Sequence, residues 1–216
     1  MKKYDVIAFD LDGTLTNPER GLVAGFRYAF DKLGIKYESV ESLKRFIGPP
    51  LFDEWKKCFG LNDDECNEAL RVFREFYDVF GWRENDMYEG VRELLSSLKS
   101  SGKKLVVATS KPERVAKKVL RLFDLDRYFD FISTATIDKR RDKKWEVLDY
   151  ALKSIGSPEK EKCIMVGDRN FDAEGAKAVG IDSLGVLYGH GSRLEIESAG
   201  FDYVAETVSD VLALLI

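Results

Sequence analysis

The spacing of hydrophobic and polar residues changes twice along this chain, and the changes predict its elements. Tyr4–Phe9 is an apolar run that stops at Asp10, the pattern of a short buried strand. Beyond it, Asn17 and Pro18 supply an N-cap and a proline at the first helical position. The helix they open runs to about Leu33, with Gly34 just past its end. Residues 39–47, 51–59 and 63–80 read as further helices. Gly48-Pro49-Pro50 breaks the series, and Asn62 with Glu65 has capping-box spacing. After Glu89, short strands and helices alternate. Strands are predicted over 104–109, 129–133, 162–167 and 182–187, and helices over 90–100, 113–123, 144–155 and 171–179. Strands rich in Val and Ile that alternate with helices imply a parallel sheet covered on both faces and joined by right-handed crossovers. The predicted fold is α/β, a Rossmann-like parallel sheet core over 1–15 and 84–216 with a helical insert over 16–83. The insert holds half of the aromatic residues at helical spacing, which reads mainly as a core of its own.

Composition narrows the function. A chain of 216 residues can bury a core without disulfide or metal staples. A net charge of −4 argues against a dedicated nucleic-acid binder. Three cysteines with no CxxC pair are not a disulfide framework and suit reducing, cytoplasmic surroundings. The lone histidine, His190, excludes HExxH and other His-rich metal centres. It lies between Gly189 and Gly191, where a flexible surface loop is expected. No apolar run approaches the roughly 18 residues of a membrane span. Acidic residues from Asp5 onward break the stretch after Lys2 and Lys3, so no signal peptide is expected there.

Three polar clusters fall at the carboxyl ends of predicted strands: Asp10-Leu-Asp12-Gly13-Thr14, Thr109-Ser110-Lys111, and Gly167-Asp168-Arg169-Asn170-Phe-Asp172. In open parallel sheets that edge binds ligands. Asp10 and Asp12 put two carboxylates on one side of an extended segment, and Gly13 lets the backbone turn sharply beside a ligand. If Asp168 and Asp172 join them, each close pair repels by about 4 kcal/mol at 4 Å and an effective dielectric near 20. A cation or raised pKa values must then compensate. An all-oxygen ligand set with room for water and phosphate suits Mg2+. Taken alone, Asp168 and Asp172 also fit a helix N-cap and a first-turn acid. Thr109 and Ser110 offer hydroxyls and backbone N–H groups to an anion where a strand meets a helix. The run from Lys139 to Lys144 reads as a solvated face from which one lysine could reach a phosphoryl oxygen.

Together these motifs resemble the haloacid dehalogenase superfamily, and the resemblance spans nearly the whole chain. More narrowly, "FIGPPL" (46–51), "ATSKPE" (108–113), "MVGDRNFDAEGAKAVGI" (165–181) and "YGHGS" (188–192) resemble its phosphoglycolate-phosphatase-like subgroup. The resemblance implies that the insert is a small helical cap and that Asp10 is a nucleophile passing through an aspartyl-phosphate. It implies that Asp12 is a general acid and then a general base. It further implies Mg2+ held by the Asp10 side chain, the Asp12 carbonyl, Asp168 and Asp172, with Thr109, Ser110 and a lysine on the phosphoryl oxygens. Lys144 fits that lysine because "KWEVLDYAL" continues as an amphipathic helix, and Lys143 is its neighbouring rival. Arg45 and Gly48, beside or within "FIGPPL", are the candidate substrate contacts. The expected partner is a small phosphorylated metabolite, with no nucleic acid and no membrane, and a monomer is favoured.

Other readings fit less well. Cys163 and Arg169 match the C-x5-R of cysteine phosphatases, but Cys163 lies mid-strand among apolar residues. GxSxG and GxxxxGK[ST] loops are absent. A nucleotidase, a pyrophosphatase or a hexose-phosphate mutase of the same superfamily remains open. A phosphonatase would need a catalytic lysine among Lys32, Lys36, Lys44, Lys56 and Lys57. A phosphate-sensing receiver-like domain would be about half this length and would have no use for the insert.

Overall fold

Val6–Phe9 (β1), with all four side chains buried, is a central strand of a six-stranded sheet. The computed structural model describes residues 3–136 and 140–216, so Lys2 and Lys139 lie outside the described residues. The chain divides into a sheet unit, Met1–Asn17 with Met87–Ile216, and a helical unit, Pro18–Asp86.

After β1 come the short strand β2 (Thr16–Asn17) and then the helices α1 (Glu19–Leu33), α2 (Leu51–Phe59) and α3 (Asp63–Tyr77) of the helical unit. Next follow β3 (Asp86–Met87), α4 (Val91–Ser100), β4 (Lys104–Pro112), α5 (Glu113–Leu122), β5 (Phe131–Ala135) and α6 (Lys144–Ser154). The chain ends with β6 (Cys163–Gly167), α7 (Asn170–Val179), β7 (Asp182–Val186), α8 (Arg193–Ala199), β8 (Tyr203–Ala205) and α9 (Val208–Leu215).

The main sheet runs β5-β4-β1-β6-β7-β8 with parallel pairing throughout, while β2 and β3 form a separate ribbon. Ile7 pairs with Leu105 on one side and Ile164 on the other, so β1, β4 and β6 run in register. One face carries Val6, Ala8, Val106, Ala108, Cys163 and Met165 against α6 and α7. The alternate residues Ile7, Phe9, Leu105 and Val107 are equally buried, as strands covered on both faces require. No helix among the described residues is long and apolar enough to cross a membrane.

The helical unit packs aromatic rings from each of its helices. The Trp55 ring centroid lies 4.9 Å from that of Phe30 and 5.8 Å from that of Phe26, both edge-on, the geometry favoured by the ring quadrupole. Phe73 of α3 closes the cluster 5.3 Å from Phe26. The capping box forms as spaced: Asn62 N–H donates to Glu65 Oε2 at 2.8 Å, and Glu65 N–H donates to Asn62 Oδ1 at 3.0 Å.

Several elements differ from the pattern. The stretch predicted as helix 39–47 forms only a 3-10 turn, Glu41–Phe46. There the Ser39 and Ser42 side chains bond each other's backbone and compete with helix propagation. Asn17 lies in β2, and Pro18 takes the N-cap position of α1 without a side-chain cap. β4 runs three residues past Thr109, with a register shift between Thr109 and Pro112.

Candidate active site

The three polar clusters meet because the strands before them end at one edge. Asp10 follows β1 directly, and its N–H donates to Val166 O of β6 at 2.9 Å. Asp168 follows β6, and Asp172 sits in the first turn of α7. Asp10, Asp168 and Asp172 each present a carboxylate oxygen within 4.8 Å of the others. Gly13 makes this possible. Its φ of +84° suits glycine, and a Cβ there would lie 2.0 Å from Asp168 Oδ2.

Two buried lysines are threaded among the acids. Lys144 Nζ lies 3.0 Å from Asp10 Oδ2, 2.8 Å from Asp172 Oδ1 and 3.2 Å from Ala108 O. The Ala108 carbonyl accepts a hydrogen bond from this ammonium, and the two carboxylates face it as ion pairs. Lys111 Nζ lies 2.6 Å from Asp12 Oδ2. The other oxygen, Asp12 Oδ1, is buried and has no hydrogen-bond partner among the described residues. Asp10 Oδ1 accepts from Leu11 N–H at 2.7 Å.

Four carboxylates against two ammoniums leave an excess of two negative charges when all are ionised. Burial, followed by the charges of Asp172 and Asp10, holds the Asp168 carboxyl well above the usual range. Burial also pushes Asp172 up to about 6, against the pull of Lys144. Burial opposes the charge on Lys144, but Asp10 and Asp172 outweigh it and raise its pKa. A buried cluster in which Asp168 and Asp172 are pushed upward by burial and neighbouring negative charge, and which offers only oxygen donors, fits a hard divalent cation such as Mg2+.

The structure distributes the sequence candidates as follows. Asp10, Asp12, Asp168, Asp172, Thr109 and Lys144 lie at this edge. Thr109 is buried, and its Oγ1 accepts from Lys111 N–H at 3.2 Å. Ser110, next along β4, is exposed, as is Lys143. Arg45 and Gly48 are exposed residues of the helical unit, and the Arg45 guanidinium lies 4.8 Å from the Phe46 ring centroid. The N-cap of α7 is Arg169 and not Asp168. Asp172 does serve as the acid of that capping box, accepting from Arg169 N–H at 3.1 Å through Oδ2 while Oδ1 faces Lys144. Cys163 opens β6 at the opposite end from Asp168, and burial raises its thiol to about 11, so it is no thiolate nucleophile.

Two features escape the sequence reading. Lys111 carries no assigned role there, yet it is the buried partner of Asp12. The surface loop expected at His190 is instead partly buried against the site, and its backbone N–H donates to Asp168 Oδ2 at 2.8 Å. The glycines flanking His190 were the available signal.

The sequence profile of the family described as haloacid dehalogenase-like hydrolase matches residues 7–186. The chain is 39% identical over 196 residues to a 5'-nucleotidase of Pseudomonas aeruginosa, covering 91% of this chain and 88% of that protein. It is 38% identical over 186 residues to the tyrosine-protein kinase PtkA of Mycobacterium tuberculosis, covering 86% of this chain and 63% of that protein. The crystal structure of "a predicted phosphatase" from Clostridium acetobutylicum superposes with a TM-score of 0.93 at 36% identity, covering 98% of both chains.

Proposed function

The chain belongs to the haloacid dehalogenase-like hydrolases, and from that premise we propose that it is a Mg2+-dependent phosphomonoester hydrolase working through a phosphorylated Asp10 on a small phosphorylated metabolite. The observation that carries this reading is the convergence of Asp10, Asp168 and Asp172 around a buried ammonium at one sheet edge.

An Asp10 carboxylate oxygen forms the new bond to phosphorus as the ester P–O bond breaks. Leu11 N–H and Lys144 hold that carboxylate in place, which is the positioning that phosphoryl transfer needs most. Lys111 fixes Asp12 by Oδ2, leaving Oδ1 to give its proton to the departing alcohol. In the second step Asp12 takes a proton from water as the water oxygen attacks phosphorus. Phosphate leaves, and the Asp10 carboxylate is restored. Thr109, Ser110 and Lys144 are the assigned contacts to the phosphoryl oxygens. Asp10, the Asp12 carbonyl, Asp168 and Asp172 would hold Mg2+, which supplies charge neutralisation to the transferring group. The resemblance also assigns residues 16–83 the role of a cap, with Arg45 and Gly48 as its substrate contacts.

The test is phosphate release with and without Mg2+ from phosphoglycolate, nucleoside monophosphates, pyrophosphate and sugar phosphates. Mg2+-dependent release that disappears in Asp10→Asn, at unchanged melting temperature, is expected. Near-normal hydrolysis by Asp10→Asn overturns the reading. Interconversion of hexose phosphates with little free phosphate would make the chain a mutase. Transfer from a nucleoside triphosphate to a protein tyrosine would move it toward the kinase relative.

A further inference from the structure

The segment after β7 touches the acidic turn 167–172 more closely than a connecting loop requires. Tyr188 Oη donates to Thr14 O at 3.1 Å, and His190 N–H donates to Asp168 Oδ2 at 2.8 Å. A Cβ on Gly189 would lie 2.3 Å from Asp168 Cβ, and one on Gly191 would lie 2.0 Å from Asp168 O. Only residues without side chains fit so close to the acid. The contact continues at Glu195, whose Oε1 accepts from Arg169 Nε at 2.8 Å and from Asn170 N–H at 3.1 Å. Glu195 is itself fixed where α8 begins, because its N–H donates to Ser192 Oγ at 3.1 Å. The Arg169 and Glu195 side chains are 15% and 25% exposed, so water competes only partly for the pair.

The Arg169 charge lowers the Asp168 carboxyl less than burial and the neighbouring acids raise it, so the pair acts on the cluster mainly through geometry. Arg169 and Asn170 occupy the two positions immediately after Asp168, and their backbone course sets the direction of Asp168 and the start of α7, which carries Asp172.

We propose that Glu195 is a positioning residue for the acid cluster, holding Arg169 and the Asn170 amide so that Asp168 and Asp172 stay turned toward Asp10. This rests on the reading that the cluster binds a divalent cation. Contacts behind the ligands of a metal typically change affinity by about 10–100-fold when removed.

The experiment measures Mn2+ binding to the metal-free, full-length chain by electron paramagnetic resonance. Glu195→Ala and Arg169→Ala should each weaken Mn2+ by about 10–100-fold. Glu195→Gln should fall between them and the unsubstituted chain, because its amide oxygen can still accept from Asn170 N–H. The double variant should bind no more weakly than the weaker single one, since both residues act through one contact. In turnover, the Mg2+ concentration for half-maximal rate should rise by the same factor, while kcat at saturating Mg2+ stays within about threefold. Loss of folding alone would not produce that split. If Glu195→Ala does not fold, Glu195→Gln and Arg169→Ala carry the test. Unchanged Mn2+ affinity in folded variants overturns the role of Glu195 and leaves the proposed function standing. Failure of the unsubstituted chain to bind Mn2+ overturns both.

Discussion

In the helical unit, Arg71 pairs with Glu68 and Glu75, Lys32 with Glu75 and Lys56 with Asp63, and every one of these side chains is at least 39% exposed. At the carboxyl edge of the sheet, Lys144 and Lys111 meet their acids with side-chain exposures of 6% and 4%. Exposed pairs contribute about 0–1 kcal/mol each, because water and salt screen them. Buried pairs must first lose hydration, which can exceed their attraction, so they are poor devices for stability and good ones for fixed geometry. The titration directions follow the same divide. Hydrogen bonds from Arg71 and Lys32 draw Glu68 and Glu75 below the ordinary carboxylate range, whereas burial drives Asp168 and Asp172 above it. The helical unit places its charge outside an aromatic core, while the sheet edge encloses charge where chemistry needs it.

The sharpest way to break this contrast is Lys144→Met. Removing the ammonium between Asp10 and Asp172 should lower kcat by about 10^3-fold or more, since preorganised charge is a leading contribution to catalysis. Steady-state rates within tenfold of the unsubstituted enzyme would show the buried ammonium to be dispensable. Trp55→Ala attacks the other side of the comparison. Emptying the centre of the aromatic core should cost about 3–5 kcal/mol by denaturant unfolding, with Mn2+ affinity unchanged in the folded protein.

A smaller effect concerns pH. The folded-state pKa of Asp172 is raised, so between about 4 and 6 the folded chain holds more protons than the unfolded one. Its contribution to stability is present below that window and is lost as pH rises through about 6. Asp168, raised further, extends the same trend upward. Melting temperatures of the metal-free chain in chelator should therefore fall by a few degrees as pH rises across this window, and saturating Mg2+ should flatten the slope. An identical slope in Asp168→Asn and Asp172→Asn would remove the cluster as its source. The smallest effect is expected at the surface, where Arg71→Ala should shift the melting temperature by no more than about 2–4 °C.

Much of this was legible in the chain, for identifiable reasons. Strands buried on both faces are unbroken apolar runs, so β1 and β6 stand out, and each is followed at once by acids with nowhere apolar to go. The capping box of α3 could be read from two residues because it is local. The stretch 39–47 misled because two serines bonded to the backbone are invisible to apolar periodicity. The burial of Lys111 depends on β4 running on past Thr109 as strand. The last third of the sheet edge was silent for another reason. α8 has seven residues and β8 three, too few to establish a period, and the loop before them works through glycines and a backbone N–H.

The crowding of Gly13, Gly189 and Gly191 around Asp168 has a practical outcome. A scan of point substitutions should find these positions nearly as intolerant as the acids, although none carries a reactive group. An alanine at any of them adds one carbon and no chemistry, so the resulting inactivity would imitate the loss of a catalytic side chain. Attempts to recruit new substrates by diversifying this edge should leave all three untouched and vary the outer rim.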